Sequence, residues 1–248
     1  MIIFLQATVE GLSLAAIYSL VAIGFVLIYK AMEVLSFAQP ALAVVGAGII
    51  SSLSIDRGIP FWLALFLGVT LTGILGLLIE RTFLRPMVGE PVFSVAVLTI
   101  GIDILLRTVL DSWIGINPKY LGDPFPSYGN FGAVNIGGVN IKLLELGALV
   151  TAILLIILLT IFFRKSKYGI AMRATSYDQE AAMAQGINVG RIFGLVWMIA
   201  GILAAFAGFF ITGGFNTLTQ FSFVSALRAL PAVVIGGLDS IPGAVVGS

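Results

Sequence analysis

Cysteine and histidine are both absent from the 248 residues, and charged residues make up only 10% of them. Without cysteine there is no disulfide scaffold and no thiol chemistry. Without histidine the commonest metal ligand and general base are missing, which argues against hydrolytic or zinc chemistry. The shortage of charge excludes more. Thirteen basic and twelve acidic residues stand against 59% hydrophobic ones and a mean hydropathy of +1.12, whereas an average soluble domain carries about 25% charge and about 45–50% apolar residues. A water-exposed globule of this size would lack the charges to cover its surface, so the chain belongs in a lipid bilayer. A net charge of +1 offers no global field for nucleic acid or acidic partners, and only the placement of charges is informative. Met1 is followed directly by a mainly apolar stretch to Tyr29, with no basic region before it. The N-terminus therefore reads as retained membrane structure and not as a signal peptide.

A helix crossing roughly 30 Å of hydrocarbon needs about 20 mostly apolar residues. Cut at its charge and proline clusters, the chain yields six such spans, at residues 10–29, 35–54, 60–79, 92–110, 143–163 and 192–212. A seventh apolar stretch, 223–238, is interrupted by Arg228, Pro231 and the pair Gly236-Gly237. It reads either as a crossing or as a broken, re-entrant segment, which requires protein or a water-filled cavity around it. The expected fold is all-α, one polytopic membrane domain over residues 1–248 with about seven membrane segments.

Basic residues collect on the cytoplasmic side of short loops. Alternate assignment of the loops puts eight on one side: Lys30, Arg81, Arg85, Arg164, Lys165, Lys167, Arg173 and Arg191. Only Arg57, Lys119 and Lys142 fall on the other, while Arg107 and Arg228 lie inside apolar segments. This bias predicts an external N-terminus, cytoplasmic loops at 80–91 and 164–191, and an external segment at 111–142.

Small residues recur every fourth position in two spans, Ala64, Gly68, Thr72 and Gly76 running into Glu80, and Ala200, Ala204, Gly208 and Thr212. Such faces let helix backbones approach closely, and they predict a tight bundle before they predict any substrate-lining role. The external segment contains two Val-Asn-Ile runs around Gly137-Gly138, a spacing that predicts a small hairpin with a two-residue turn. That hairpin serves as a cap, a docking surface or a passive connector.

The 164–191 loop is long and polar. Within it Ser176-Tyr177-Asp178-Gln179 has capping-box spacing, which predicts a helix starting at Ser176 with Gln179 reaching back to the cap. Residues 180–185 favour helix, and Gly186 suits the left-handed residue that ends one. About nine residues are too few for a stable helix alone, so this one needs a partner surface. Ala181, Ala182 and Ala184 offer a close-approach face, while Asp178 and Glu180 suit the helix dipole.

Glu180-Ala181-Ala182, three residues, then Gly186 resembles the EAA loop of bacterial ABC importer permeases, the coupling helix that inserts into a groove of the cytoplasmic ATPase. Ile79-Glu80-Arg81 with Leu84-Arg85-Pro86, Leu98-Thr99-Ile100-Gly101, and above all ALPAVVIGGLDSIPGA at 229–244 resemble the H-type permease of the branched-chain amino acid importer. Ser36-Phe37-Ala38-Gln39-Pro40 is similar to that family's N-F-A-H/Q-G segment, with Ser for Asn and Pro for Gly. The Ile-x-Leu-Pro ending of other EAA loops is missing, which fits the branched-chain branch. Family members continue past the Pro-Gly-Ala motif through a final helix, so this chain resembles a permease lacking its C-terminal helix.

The resemblance implies a non-catalytic, multi-pass subunit of the bacterial inner membrane that imports branched-chain or similar amino acids. Urea, short amides and other small polar solutes are the alternatives, because the external binding protein sets much of the selectivity. Implied partners are cytoplasmic ATPase subunits, a second permease subunit, an extracytoplasmic substrate-binding protein and the lipid bilayer. No cofactor is expected, and ATP would be bound by the partner subunits, since no G-x-x-x-x-G-K-[ST] loop is present. The coupling residues expected are Ser176, Glu180, Ala181, Ala182 and Gly186, and the expected translocation path runs by Phe37, Gln39, Asp103, Arg228, Pro231, Gly236 and Gly237. Asp103 has a partner at helical spacing in Arg107, which also allows a purely structural intrahelical pair. Glu10 and Glu145, near membrane boundaries, read as solvated. An ion-coupled secondary transporter would show paired broken segments, and only those near Pro40 and Pro231 offer a weak pair. An intramembrane enzyme lacks the His, Cys or paired carboxylates it would need.

Overall fold

The computed structural model describes residues 2–115, 119–121, 133–136, 139–214, 217–219 and 222–248. Six helices in it are long and apolar enough to cross a membrane. They are α1 (Ile2–Met32), α2 (Ala38–Ser51, which reaches membrane length with its continuation to Asp56), α3 (Phe61–Ile79), α4 (Val92–Ile114), α5 (Leu143–Lys165) and α8 (Val189–Gly214). The two short helices α6 (Lys167–Tyr177) and α7 (Gln179–Ala184) lie between α5 and α8, and α9 (Ser222–Leu227), α10 (Ala229–Gly236) and α11 (Ile241–Gly247) close the chain. The expected spans are reproduced to within a few residues except that α1 begins at Ile2, where its first turns are exposed.

The strands β1 (Ala133–Ile136) and β2 (Val139–Lys142) pair antiparallel, with Ala133 opposite Lys142 and Ile136 opposite Val139. This is the expected hairpin, though its turn, Gly137-Gly138, lies outside the described residues, as does much of the external segment.

α8 is the axis of the bundle, packed against α1, α2 and α3, with Trp197, Phe193 and Leu203 fully buried. The small-residue stripes explain the closeness. A Cβ on Gly201 would sit 2.6 Å from the Thr72 carbonyl oxygen, one on Gly46 2.7 Å from the Ala205 Cα, and Gly208 and Gly76 lie against the carbonyls of Ala43 and Trp197. Thr72 and Thr212 turn their hydroxyls back to the carbonyls four residues earlier, at 2.7 Å each, so neither needs a partner across the interface.

Both α2 and α3 run on through one widened π-turn, Ser52–Asp56 and Glu80–Leu84. In α3 this has a chemical result. A π-turn closes i to i+5 and so stacks Arg85 over Glu80, which ordinary α-helix geometry would not do. The guanidinium makes two bonds to the carboxylate, at 3.2 and 3.1 Å.

Helix direction places Lys30, the end of α3, α6, α7 and the start of α8 at one end of the bundle, the end expected to be basic. Lys30 and Arg173 share one cavity there, and Arg81, Arg85 and Arg191 another. The opposite end holds the Lys119–Asp56 pair at 2.5 Å and the Lys142–Glu145 pair at 3.5 Å.

Candidate functional site

At the basic end, α7 is six residues long, and its cap is Asp178, not Ser176. Asp178 has extended backbone (φ −159°, ψ 110°), and its Oδ1 accepts from the Ala181 N–H at 2.9 Å. Ser176 instead falls in the last turn of α6, a helix that runs four-residue-periodic through Tyr177 and leaves no room for a cap before it. Asp and Ser cap about equally well, so the position of the chain reversal decides between them, and α6 sets that position. Gln179 does not reach back to the cap; its Nε2 points at the Ala31 carbonyl of α1, 3.5 Å away.

The other end of α7 is as expected. Gly186 has φ +82°, its N–H donates to the Met183 carbonyl at 2.9 Å, and the Ile187 N–H donates to the Ala182 carbonyl at 3.0 Å. These two bonds are the 5→2 and 6→1 pair of a Schellman motif, which requires the left-handed residue. The alanines divide: Ala182 is buried against the bundle, while Ala181 and Ala184 face outward beside Glu180. Tyr177 is 91% exposed and Met183 54%, so the loop presents two large apolar side chains with nothing over them.

At the same end of the bundle lies a contact that the sequence shows only as a motif. Glu80 is fully buried, held by Arg85, and Arg85 also donates to the Gly190 carbonyl at the start of α8, at 2.7 Å. The signal was present: Glu80 continues the four-residue stripe of Ala64, Gly68, Thr72 and Gly76, so it had to share that stripe's burial and needed a cation.

A second polar region sits in the membrane interior, at the break between α1 and α2. The Phe37 N–H donates to Thr99 Oγ1 of α4 at 3.1 Å. One and two turns further along α4 come Asp103 and Arg107, which form an ion pair, and the Arg107 guanidinium lies 4.1 Å from the centre of the Phe223 ring of α9. The expected Asp103–Arg107 pair is therefore present, with a cation–π contact added. Gln39 turns away from this row: it is fully buried, and its Nε2 donates to the Ala200 carbonyl of α8 at 3.1 Å. Ser36 Oγ, Gln39 Oε1 and Asp103 Oδ1 are buried without a hydrogen-bond partner among the described residues, an unusual concentration for a bundle core.

The remaining expected path residues lie elsewhere. Pro231 occupies the third position of α10, and its missing N–H cannot close the i+4 bond to Leu227, the last residue of α9, so the one-residue break at Arg228 falls where the proline predicts an interruption. The breaks fall at Arg228 and at 237–240, where Gly237 has φ +91° and the chain bends by 118° into α11. Gly236 and Gly243 pack backbone to backbone across this bend, and α10 and α11 both lie against α1. Lys30 Nζ donates to the Asp239 carbonyl at the bend, at 3.4 Å. Glu145 corrects another expectation: it is half-buried, with Oε2 buried and unpartnered among the described residues, because the end of α5 packs beside α1, where Ser13 donates to the Glu145 carbonyl at 3.3 Å.

Membrane-length helices wrapped on a glycine-lined axis, with a short capped helix presented at one end, define a multi-pass helical membrane protein. The profile of the family described as branched-chain amino acid transport system / permease component matches residues 7–248, and the chain belongs to that family. It is 28% identical over 98% of its length to the high-affinity branched-chain amino acid transport system permease protein BraD of Pseudomonas aeruginosa, covering 82% of that protein. The corresponding permease protein LivH of Escherichia coli K12 gives the same identity and coverage. A probable branched-chain amino acid transport permease protein LivH of Methanocaldococcus jannaschii is 28% identical over 94% of the chain and 75% of that protein. No solved structure matches the chain.

Proposed function

We propose that this chain is a non-catalytic membrane subunit of an ATP-driven importer for branched-chain or similar amino acids in a bacterial inner membrane. In this reading it pairs with a second permease subunit, receives substrate from an external binding protein and is driven by cytoplasmic ATPase subunits, which alone bind nucleotide. The observation that carries the coupling part is α7: a helix too short to be stable by itself, yet fixed at both ends by Asp178 and Gly186, with Tyr177, Glu180, Ala181, Met183 and Ala184 turned outward.

Force applied to α7 has short routes inward. Gln179 points at Ala31 of α1, the next helix begins five residues after Ala184, and Lys30 bridges α1 to the bend before α11. Closure of the ATPases would thus tilt α1 and α8 together, and the Phe37–Thr99–Asp103–Arg107–Phe223 row between α2, α4 and α9 lies where such tilting opens a polar route.

The test is transport and stimulated ATP hydrolysis in the reconstituted complex. Glu180→Lys reverses charge on the docking face, and Gly186→Val places a β-branched residue at φ +82°. Both are expected to abolish coupled ATPase activity while the permease still purifies as a folded protein; normal coupling in both would remove the reading. Cysteines placed at Tyr120 and Tyr177 are expected to label from opposite sides of the membrane, Tyr177 from the cytoplasm.

A further inference from the structure

At the end opposite α7, a cavity of about 320 Å³ opens between α1, α5, α8 and α9. Its apolar lining includes Leu14, Ile17, Phe210 and Ile211, and its charged lining is Glu10, Glu145, Lys142 and Arg228. Two carboxylates and two cations share one small space, and they neutralise one another only in part. The single ion pair among them joins Lys142 Nζ to Glu145 Oε1 at 3.5 Å. Glu145 Oε2 is buried and accepts nothing among the described residues. Glu10 Oε1 accepts only from Gln6 Nε2, at 3.3 Å, and Arg228 makes no ion pair among the described residues.

Burying a carboxylate oxygen without a donor is costly, and Arg228, exposed and without an ion pair among the described residues, is open to an anion. A cation without an ion pair and a carboxylate with one orphaned oxygen, lining one cavity together with apolar side chains, match a ligand that carries both charges and an apolar group. The volume sits at the lower end of the range for small-molecule sites, which suits an amino acid.

We propose that this cavity receives the transported amino acid as a zwitterion, with its ammonium on the Glu145 carboxylate, its carboxylate on Arg228, and its aliphatic side chain against Leu14, Ile17 and Phe210. The assignment rests on the reading of this chain as an amino acid permease. It places selectivity for a free α-amino acid within the membrane subunit, on residues other than those of the Asp103–Arg107 row. Since a phosphatidylethanolamine headgroup is also a zwitterion, the lipid must be varied in the test.

The full chain in nanodiscs of phosphatidylcholine and phosphatidylglycerol is titrated with tritiated leucine and competed with leucinamide, which lacks the carboxylate, and with 4-methylvalerate, which lacks the ammonium. Each analogue is expected to compete roughly tenfold or more weakly than leucine, the size of one charge-assisted hydrogen bond. Arg228→Gln should erase the preference for leucine over leucinamide, and Glu145→Gln the preference over 4-methylvalerate; a folding defect would not produce this matched pattern. Leu14→Trp keeps every charge and should weaken leucine more than alanine. Absence of leucine binding, or unchanged analogue preferences in both charge variants, overturns the proposal. So does retention of phosphatidylethanolamine by the wild-type chain in native mass spectrometry, lost in both variants while their leucine preferences stay intact. Uptake by the reconstituted complex separates the two levels: leucine uptake unaffected by Arg228→Gln and Glu145→Gln sinks the cavity and leaves the importer reading standing, whereas no ATP-driven uptake by the wild-type complex sinks the importer reading itself.

Discussion

α5 and α8 are both apolar enough to cross a membrane, yet 17% of the most apolar stretch of α5 is buried inside the bundle against 72% of that of α8. Hydrophobicity does not separate them, because lipid tails are as apolar as a protein core. Side-chain size does. α8 meets its neighbours with Gly201, Ala204, Gly208 and Thr212, and the backbones close to within contact. α5 carries Ile153, Leu154, Ile157 and Leu158 outward and keeps a narrow inner stripe of Leu144, Ala148, Ala152 and Leu159. On these two helices small residues mark the points of closest backbone approach, while the side chains that α5 turns away from the bundle are branched or long aliphatics.

The largest break in that contrast should come from Gly208→Leu, whose side chain would occupy the place of the Ala43 carbonyl. A loss of roughly 3 kcal/mol or more is expected, read as disappearance of monodisperse protein in detergent; a normally folded variant would contradict the packing account. Arg85→Leu comes next, since it strands the fully buried Glu80 at a cost of about 3 kcal/mol. Its decisive control is the double variant Glu80→Leu/Arg85→Leu, which should recover much of the unfolding temperature. On α5, Ala152→Leu enlarges the inner stripe and should cost about 1–3 kcal/mol. The smallest effects belong to Ile153→Ala on the outer face of α5 and to Gly147→Ala, where a new methyl would meet only the Phe210 ring at 3.8 Å; both should stay within about 0.5 kcal/mol. An unfolding midpoint for Gly147→Ala as low as that of Gly208→Ala would end the distinction between the two helices.

Much of this arrangement was legible along the chain. The spans follow from run length alone, and the left-handed Gly186 and the break near Gly237 follow from residues that tolerate positive φ. The basic end follows from counting. Where the structure departs from the sequence, neighbours decide. The spacing to Gln179 points to Ser176 as the cap, but α6 runs through it and hands the cap to Asp178. Position near a span end suggests a solvated Glu145, but it says nothing of which helix packs over it, and α1 does so.

The amino-acid sequence by itself determined that the chain crosses a membrane several times, where it does so, which end is basic and that it belongs with the branched-chain amino acid permeases, since these rest on run length, charge placement and local motifs. Only the tertiary structure decided that α8 is the axis while α5 faces outward, that Glu80 is buried beneath Arg85, that Gln39 parts company with the Asp103–Arg107 row, and that Arg228 and Glu145 face one cavity. The physical reason is that crossing a bilayer is a property of each segment against its solvent, whereas a buried charge is tolerated only through contacts supplied by segments distant in the chain.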